Sequence, residues 1–433
     1  MIDRAIEFPK AFVWGTATAA HQVEGYNQHN DWWAHEHAVD TNAVEQSGVA
    51  CDHYHRYAED FRLLRDLGHR HHRLSIEWSR IEPAEGQIDR REVEHYRRVL
   101  ETLRELDIEP WVTLHHFTLP KWFAERGGFS REENVPAFRR FVEAAAKEYG
   151  DVVRCWCTIN EPTVYAEMGY RFGYFPPRKT DEALAATTLG NLFRAHALAC
   201  DALHTVARRT PEVGITLAVQ AHEPLDFDSD ADQDLAEMRD AESNEVCFEA
   251  LRTGTFWYPG RAEEEISGLR GCSTFVGIQY YTRMRYDGAS RGPAMPEFGR
   301  ALTQMGWEIY SEGFAPLLER AATIELPVVV TENGVCHEDD RVRVEYIADH
   351  LAAIAGARTN GADVRGYFYW SAMDNFEWNF GYGPKFGLIE VDRETLERRP
   401  RSSARFFADV IAANEVTPEM VRTYQCASAA GAS

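Results

Sequence analysis

The chain has 433 residues, and 44% of them are hydrophobic, which is enough to form a large buried core. Its formal net charge of −23 argues against a nucleic-acid partner, because phosphate binding requires a basic surface. No run of about 18 apolar residues is present, so we expect no membrane-spanning segment. The segment 1–10 lacks the apolar core of a signal peptide, which favours a cytoplasmic location.

Strand-like runs alternate with helical patterns along the chain, and no repeat or flexible linker divides it. Short apolar runs rich in β-branched residues predict strands. Eight such segments follow one another, at 12–16, 69–75, 110–116, 152–159, 213–219, 275–281, 328–332 and 364–370. The second is rich in His and Arg, and we assign it from its place in the alternation.

Amphipathic helical stripes lie between these strands. In the first, Tyr57, Phe61, Leu64 and Leu67 share one face, and Gly68 ends the helix. Alternation of eight strands with helices predicts a parallel sheet that closes into a (β/α)8 TIM barrel, an α/β fold. We expect residues 1–433 to form a single domain of this type.

Three segments are predicted to lack regular structure. Segments 222–232 and 287–300 are rich in Gly, Pro or Asp, which predicts loops. Segment 425–433 consists mostly of small residues, which predicts a disordered tail.

Two short segments each place a glutamate at the end of a predicted strand. Glu161 lies in Thr-Ile-Asn-Glu-Pro, and Glu332 lies in Val-Thr-Glu-Asn-Gly. In α/β barrels the chemistry occurs at the C-terminal ends of the strands, so we expect both carboxyl groups to face one cleft. Such a pair is what retaining glycoside hydrolysis requires, with the carboxyl groups about 5–5.5 Å apart.

The two glutamates need different protonation states for this chemistry. Glu332 must stay ionised, and Arg73 and Tyr281, at the ends of the second and sixth strands, are candidate supporting groups. A negative Glu332 would raise the pKa of Glu161 and keep it protonated. Once Glu332 carries a sugar ester, Glu161 can lose its proton and activate water. We therefore predict that Glu332 is the nucleophile and Glu161 the acid/base.

Further polar and aromatic residues near the predicted strand ends suit a sugar ligand. Gln22, His116 and Asn160 offer amide and imidazole groups after the first, third and fourth strands. Segment 370–378 adds two Trp and two carboxylates. Amide and carboxylate groups can bind sugar hydroxyls in a bidentate manner, and aromatic rings can pack against sugar faces.

A metal site is the alternative raised by the histidines and cysteines. His69 and His71 would share one face of a strand, as would Cys155 and Cys157, but two ligands alone make a poor zinc site. No His-Glu-x-x-His spacing occurs. We therefore predict no metal and no cofactor, and we expect the eight cysteines to be reduced, most of them in the core.

At this point the chain resembles glycoside hydrolase family 1, the β-glucosidase family, from Phe8 to about Ser403. The resemblance is carried by the N-terminal run Phe-Val-Trp-Gly-Thr-Ala-Thr-Ala-Ala-His-Gln and by both glutamate segments. Further motifs follow in the same order as in the family, at 52–57, 73–80, 113–120, 306–309 and 374–378.

The resemblance implies a role for each matching residue. Glu161 resembles the acid/base and Glu332 the nucleophile, with Arg73 and Tyr281 steadying the nucleophile. The residues implied in sugar binding are Gln22, His116, Asn160, Glu377 and Trp378, with Trp370 as the stacking floor and Trp307 lining the leaving-group site.

Three positions depart from the family pattern, and none of them removes a catalytic group. Phe117 and Thr163 stand where the family often has Trp, and Gln279 stands where it usually has Asn. Thr163 bears on leaving-group preference, and Gln279 bears on the hydrogen bonds around Tyr281.

The expected function is that of a retaining exo-β-glycosidase acting on β-glucosides and cello-oligosaccharides, with side activity on β-galactosides and β-fucosides and with transglycosylation. One alternative is a 6-phospho-β-glycosidase, against which Glu377 argues because a carboxylate would repel phosphate. The other is a non-catalytic sugar-binding barrel, against which the presence of both glutamates argues. The expected partner is a small-molecule glycoside, and the sequence leaves open whether the chain forms a homo-oligomer.

Overall fold

The computed structural model describes residues 2–430. Eight parallel strands form a closed barrel in which each strand pairs with the next along the chain and the last pairs with the first. The strands are β1 (Val13–Ala17), β2 (His71–Ser75), β3 (Glu109–His115), β4 (Cys155–Asn160), β5 (Glu212–Ala218), β6 (Val276–Tyr280), β7 (Val328–Asn333) and β8 (Val364–Trp370). Each predicted strand is present, so the prediction of a (β/α)8 barrel is confirmed.

Helices connect the strands of the barrel. The predicted first stripe lies on the helix His53–Asp66, in which Phe61 and Leu64 are buried. The α-helices span Ala20–Val23, Asp31–Glu36, His53–Asp66, Trp78–Ile81, Arg90–Glu105, Lys121–Glu125, Val135–Tyr149, Pro162–Ala166, Glu182–Val206, Asp230–Asp240, Val246–Thr253, Phe314–Ala322, Asp340–Thr359, Ser402–Ala413 and Pro418–Ala430. Within residues 2–430, none of the helices combines the length and apolar character needed to cross a bilayer.

The two segments predicted as loops contain regular structure. Ala221–Pro224 pairs in parallel with Arg283–Asp287, which pairs antiparallel with Gly292–Pro293. The helix Asp230–Asp240 begins inside the first segment. The loop prediction was therefore wrong in part, because this small sheet forms between segments far apart in sequence and local composition does not reveal such pairing.

The predicted disordered tail also differs from the structure. The helix Pro418–Ala430 continues through the first six residues of segment 425–433, so the prediction is wrong for 425–430. Tyr424 of this helix packs edge-on against Phe406, with the ring centroids 5.8 Å apart. Small residues such as Ala are good helix formers, and a helix that is already docked can extend through them. Residues 431–433 lie outside the described residues.

The barrel interior contains a cluster of buried apolar side chains. The ring of Trp111 contacts those of Phe275 and Phe368 edge-on, at 5.2 and 5.0 Å between centroids. Cys155, Cys157 and Val329 complete this cluster. Polar side chains that point into the barrel near the cluster therefore have few water molecules to bond to and must bond to one another.

Irregular pairing occurs beside both predicted catalytic glutamates. The β4–β5 ladder shifts register between Cys157 and Asn160, directly before Glu161. The β7–β8 ladder shifts between Val330 and Asn333, on either side of Glu332. Bulges of this kind re-aim side chains at the rims of barrels and next to active sites.

A close backbone contact fixes the exit of β7 against the exit of β8. At Gly334 a Cβ atom would lie 1.7 Å from the carbonyl oxygen of Trp370, so no larger residue fits without movement of one strand. We expect Gly334→Ala to lower the free energy of unfolding by about 1–3 kcal/mol or more, because backbone must shift to admit the methyl group. Chemical denaturation would measure this change.

Gly356→Ala is a matched control for this substitution. Gly356 lies in the helix Asp340–Thr359, and nothing lies within 4 Å of its added Cβ. Since Ala is the better helix former, this variant should be up to about 1 kcal/mol more stable than the wild type. Equal effects of the two substitutions would show that the contact with Trp370 does not constrain the barrel.

Candidate active site

Glu161 and Glu332 are presented by β4 and β7, whose ends meet at one rim of the barrel. Glu161 follows β4 directly, and the helix that begins at Pro162 carries the chain away. Its backbone has φ 45° and ψ 64°, a left-handed conformation that costs energy for a residue with a side chain. Glu332 lies within β7, and both glutamates are buried.

Arg73 and Tyr281 both bind the carboxylate of Glu332. Arg73 donates from Nη1 to Oε1 of Glu332 in a short ion pair, and the Tyr281 hydroxyl donates to Oε2 at 2.7 Å. Arg73 lies on β2 with a relative exposure of 0%. A buried cation must be paired with negative charge, so this contact favours the ionised form of Glu332.

The two glutamates differ in how strongly their protons are held. Burial raises the pKa of Glu332, but the Arg73 charge and the Tyr281 hydrogen bond oppose the shift. Burial raises the pKa of Glu161 well above its usual value, and the charge of Glu332 raises it further. Within residues 2–430, no hydrogen bond or ion pair reaches the Glu161 carboxyl. Glu332 therefore ionises first, and Glu161 keeps its proton.

The side chain of Asn160 is fixed by three donors. Its Oδ1 accepts from Nη2 of Arg73 at 2.5 Å, from Nε2 of Gln279 at 2.9 Å and from the Thr216 hydroxyl at 3.1 Å. This leaves the Asn160 amino group 3.4 Å from Nε2 of His116. Burial, followed by the charge of Arg73, lowers the pKa of His116 well below its usual value, so the imidazole is neutral.

Gln22 and Glu377 form a second polar group. Nε2 of Gln22 donates to Oδ1 of Asn375 at 3.1 Å, to the Phe376 carbonyl at 2.9 Å and to Oε2 of Glu377 at 3.3 Å. Burial raises the pKa of Glu377 to about 8, and the charge of Glu332 contributes to this rise. The charge of Glu332 thus acts on the protonation of both neighbouring carboxyl groups.

Aromatic rings surround these polar side chains. Trp370 and Trp378 lie nearly parallel to His116, at 5.8 and 6.2 Å between ring centroids. Phe117 packs edge-on against Trp378 at 5.3 Å, and Trp307 lies 5.8 Å from Tyr281. The structure therefore places the aromatic residues named from the sequence next to the polar ones.

The structure brings the site residues named from the sequence together at this rim, while their roles and the carboxyl separation of about 5–5.5 Å stay predictions. Sequence reasoning missed Asn375, Thr216 and Thr113, the last of which accepts from Nε of Arg73 at 3.0 Å. Asn375 lies in the segment 374–378 already singled out. Thr113 and Thr216 lie on β3 and β5, and their position on strands beside Arg73 and Asn160 could have indicated them.

A cluster of residue types that can ligate a metal lies elsewhere in the part of the chain that the structure describes. Among residues 2–430, the one group of three close metal-ligating side chains is His196, Cys200 and Cys272. His196 and Cys200 lie on the helix Glu182–Val206, and none of the three contacts the carboxyl groups described above.

A parallel barrel that holds an ionised and a protonated carboxyl group at one rim defines a hydrolase of glycosidic bonds. The chain matches the model of Glycosyl hydrolase family 1 over residues 4–416 and belongs to this family.

Relatives of known structure or activity match almost the whole chain. A solved β-glycosidase from Pyrococcus horikoshii is 37% identical, with a TM-score of 0.90 over 97% of this chain and 98% of its own. A 1,4-β-D-glucan glucohydrolase from Thermotoga neapolitana is 30% identical over 95% of this chain and 99% of its own. A β-galactosidase from Pyrococcus woesei is 29% identical over 95% of this chain and 98% of its own.

Removing the hydroxyl of Tyr281 tests how Glu332 is kept ionised. Tyr281→Phe deletes a hydrogen bond to a charged group, so kcat/KM for an aryl β-glycoside should fall about tenfold to a hundredfold. The pKa of Glu332 should rise because the ionised form loses a donor. If Glu332 acts in its ionised form, as predicted from the sequence, the acidic limb of the pH profile should move to higher pH.

Tyr280→Phe is the control for Tyr281→Phe. The neighbouring Tyr280 donates to the carbonyl of Tyr310 rather than to Glu332. Loss of the Tyr280 hydroxyl should leave the acidic limb in place. An equal displacement of the acidic limb in both variants would contradict the role given to Tyr281.

Proposed function

We propose that the protein is a retaining exo-β-glycosidase that removes terminal β-D-glucosyl residues from β-glucosides and cello-oligosaccharides. The observation that carries this proposal is the unequal surroundings of the two buried glutamates. Arg73 and Tyr281 bind Glu332, whereas within residues 2–430 no donor or cation is bonded to the Glu161 carboxyl. One carboxylate and one carboxylic acid are the pair that double displacement requires.

In the first step, the Glu332 carboxylate attacks the anomeric carbon of the sugar. The bond from that carbon to the leaving oxygen breaks, and the leaving oxygen takes the proton of Glu161. The products of this step are a glycosyl ester on Glu332, an ionised Glu161 and a free alcohol.

In the second step, water releases the sugar from Glu332. Esterification removes the negative charge of Glu332, which had helped raise the pKa of Glu161. Glu161 then stays ionised until it takes a proton from water, whose oxygen attacks the anomeric carbon and breaks the ester bond. Attack by a sugar hydroxyl in place of water would give transglycosylation by the same route.

The polar groups near the glutamates support binding of a sugar. Oε1 of Gln22 and Nδ1 of His116 are buried and have no hydrogen-bond partner within residues 2–430. Buried polar atoms without partners are costly, and sugar hydroxyls would supply the missing bonds. Asn160 and Glu377 add further groups, with Trp370 and Trp378 offering flat apolar surfaces.

The same groups support side activity on β-galactosides and β-fucosides. Gln22 and Glu377 offer both donors and acceptors, so they can bind a hydroxyl in more than one orientation. The similarity to a β-galactosidase from Pyrococcus woesei is consistent with this breadth. Trp307, beside Tyr281, is proposed to line the leaving-group site together with Thr163.

The thiols support the inferred cellular location. All eight cysteines are free, and most of them are buried. Unpaired thiols fit a reducing compartment, and we infer a cytoplasmic protein. We also infer one domain for the whole chain, because the family match spans the barrel from before β1 to the end of the helix Ser402–Ala413.

The proposed function predicts rapid cleavage of a nitrophenyl β-D-glucoside. Glu332→Gln should lower kcat by about 10⁴-fold or more, because it removes the nucleophile. Glu338→Gln is the matched control, since Glu338 is exposed and lies a few residues further along the chain. Nitrophenol release, followed by absorbance with the three proteins at equal concentration, measures the difference.

Two experimental outcomes would favour the alternative functions, which are a 6-phospho-β-glycosidase and a non-catalytic sugar-binding barrel. A phosphate group on the sugar would find no positive charge beside Glu377, because within residues 2–430 the side-chain partner of Glu377 is Gln22, which is neutral. A higher kcat/KM for the 6-phosphoglucoside than for the glucoside would nevertheless establish a 6-phospho-β-glycosidase. Saturable glucoside binding without release of nitrophenol would establish a sugar-binding barrel.

Glu161→Gln tests the acid/base role through the leaving group. Cellobiose needs protonation of its leaving oxygen, so its cleavage should slow by about 10²–10⁴-fold. A dinitrophenyl glucoside leaves without a proton, so formation of the glycosyl ester should be nearly unaffected. The rate of dinitrophenol release in the first turnover separates the two cases, and equal losses on both substrates would contradict the assignment.

A further inference from the structure

Three soft metal ligands meet on the outer side of β4. His196 and Cys200 are four residues apart on the helix Glu182–Val206 and therefore lie on the same face. Cys272 reaches them from the loop before β6. Their ligand atoms all lie within 4.8 Å of one another, and none of these residues takes part in the mechanism above.

The spacing of these atoms matches the edges of a coordination tetrahedron. Sγ of Cys272 lies 3.5 Å from Nε2 of His196, and Sγ of Cys200 lies 3.7 Å from the same nitrogen. Zinc bonds of about 2.3 Å to sulfur and about 2.0–2.1 Å to nitrogen give a tetrahedral S···N edge of about 3.6 Å. Sγ of Cys200 also lies 3.7 Å from Nδ1 of His196, so this thiol must turn toward the Nε2 side of the ring before both sulfur atoms can bond to one ion.

A threonine orients the imidazole of His196 for such a bond. Nδ1 lies 2.7 Å from the Thr158 hydroxyl, which itself donates to the Gly214 carbonyl at 3.3 Å. With the Thr158 proton directed to Gly214, the ring proton lies on Nδ1 and is donated to Thr158, and this tautomer leaves Nε2 unprotonated for a metal. Nε2 lies 2.8 Å from the Ser273 hydroxyl, which occupies the position that an ion bound to this nitrogen would take. Metal-ligating histidines have just such a partner on their other nitrogen.

Burial and charge also suit a divalent cation. His196 and Cys200 are fully buried, whereas Cys272 is partly exposed and provides a path from solvent. On binding, each thiol releases its proton to solvent, and the two thiolates balance the two charges of the ion. A neutral complex can be buried without the cost of an isolated charge.

We propose that Nε2 of His196 and the Sγ atoms of Cys200 and Cys272 bind one Zn²⁺. The ion would replace the Ser273 hydroxyl as the partner of Nε2, and a water molecule would fill its fourth coordination position. The ion would tie the helix Glu182–Val206 to the loop before β6, beside the strand that leads to Glu161. The role is structural, because the site lies outside the barrel and is separate from the carboxyl groups that perform hydrolysis.

Titration of the metal-free full-length protein tests this proposal. The thiols are kept reduced with a phosphine, Zn²⁺ is added, and binding is measured by competition with a chromophoric chelator. We expect one ion per chain and a higher melting temperature in the presence of the ion. Co²⁺ in the same site should give the intense absorption of a tetrahedral ion bound by thiolate.

Matched cysteine variants make the test specific. Cys272→Ala removes a partly exposed ligand with little risk to folding, and it should abolish stoichiometric binding and the thiolate absorption of Co²⁺. Cys247→Ala removes a buried thiol outside the cluster and should retain both. Binding of equal strength in wild type and Cys272→Ala, no binding in either, or Co²⁺ spectra without thiolate absorption would each overturn the proposal.

Discussion

One buried cation, the guanidinium of Arg73, determines the charge of the whole site. It is enclosed in the barrel, where a charge without a partner would cost several kcal/mol. Glu332 supplies the partner charge, while Asn160 and Thr113 accept from the remaining nitrogens. The ionised Glu332 then raises the pKa of Glu161 and of Glu377. A single residue on β2 thereby influences the protonation of three carboxyl groups on three other segments.

The barrel and its glutamates could be predicted from the sequence because the signals are local. A strand in a parallel barrel is an apolar, β-branched run, and a glutamate at its end can be recognised without knowledge of its neighbours. Arg73 and Tyr281 can be recognised from the sequence because only a few cationic or hydrogen-bond-donating side chains lie at the ends of the predicted strands. The bonds of Asn160 could not be predicted, since its oxygen is shared by donors from β2, β5 and β6.

The same limit explains the errors in the remaining segments. Ala221–Pro224 and Arg283–Asp287 form a sheet with each other, although neither has the composition of a strand when taken alone. Local spacing in the sequence singles out Cys155 and Cys157, whose side chains belong to the apolar cluster inside the barrel. It overlooks Cys272, because this residue meets His196 and Cys200 only through the fold.

The left-handed backbone at Glu161 has a consequence for how this enzyme balances activity against stability. A glutamate with φ 45° is strained, whereas glycine adopts this conformation freely. Selection for stability alone would therefore favour glycine at this position, whereas the acid/base role proposed for Glu161 requires the acid. The position proposed for proton transfer is thus one at which an inactivating substitution can make the protein more resistant to unfolding.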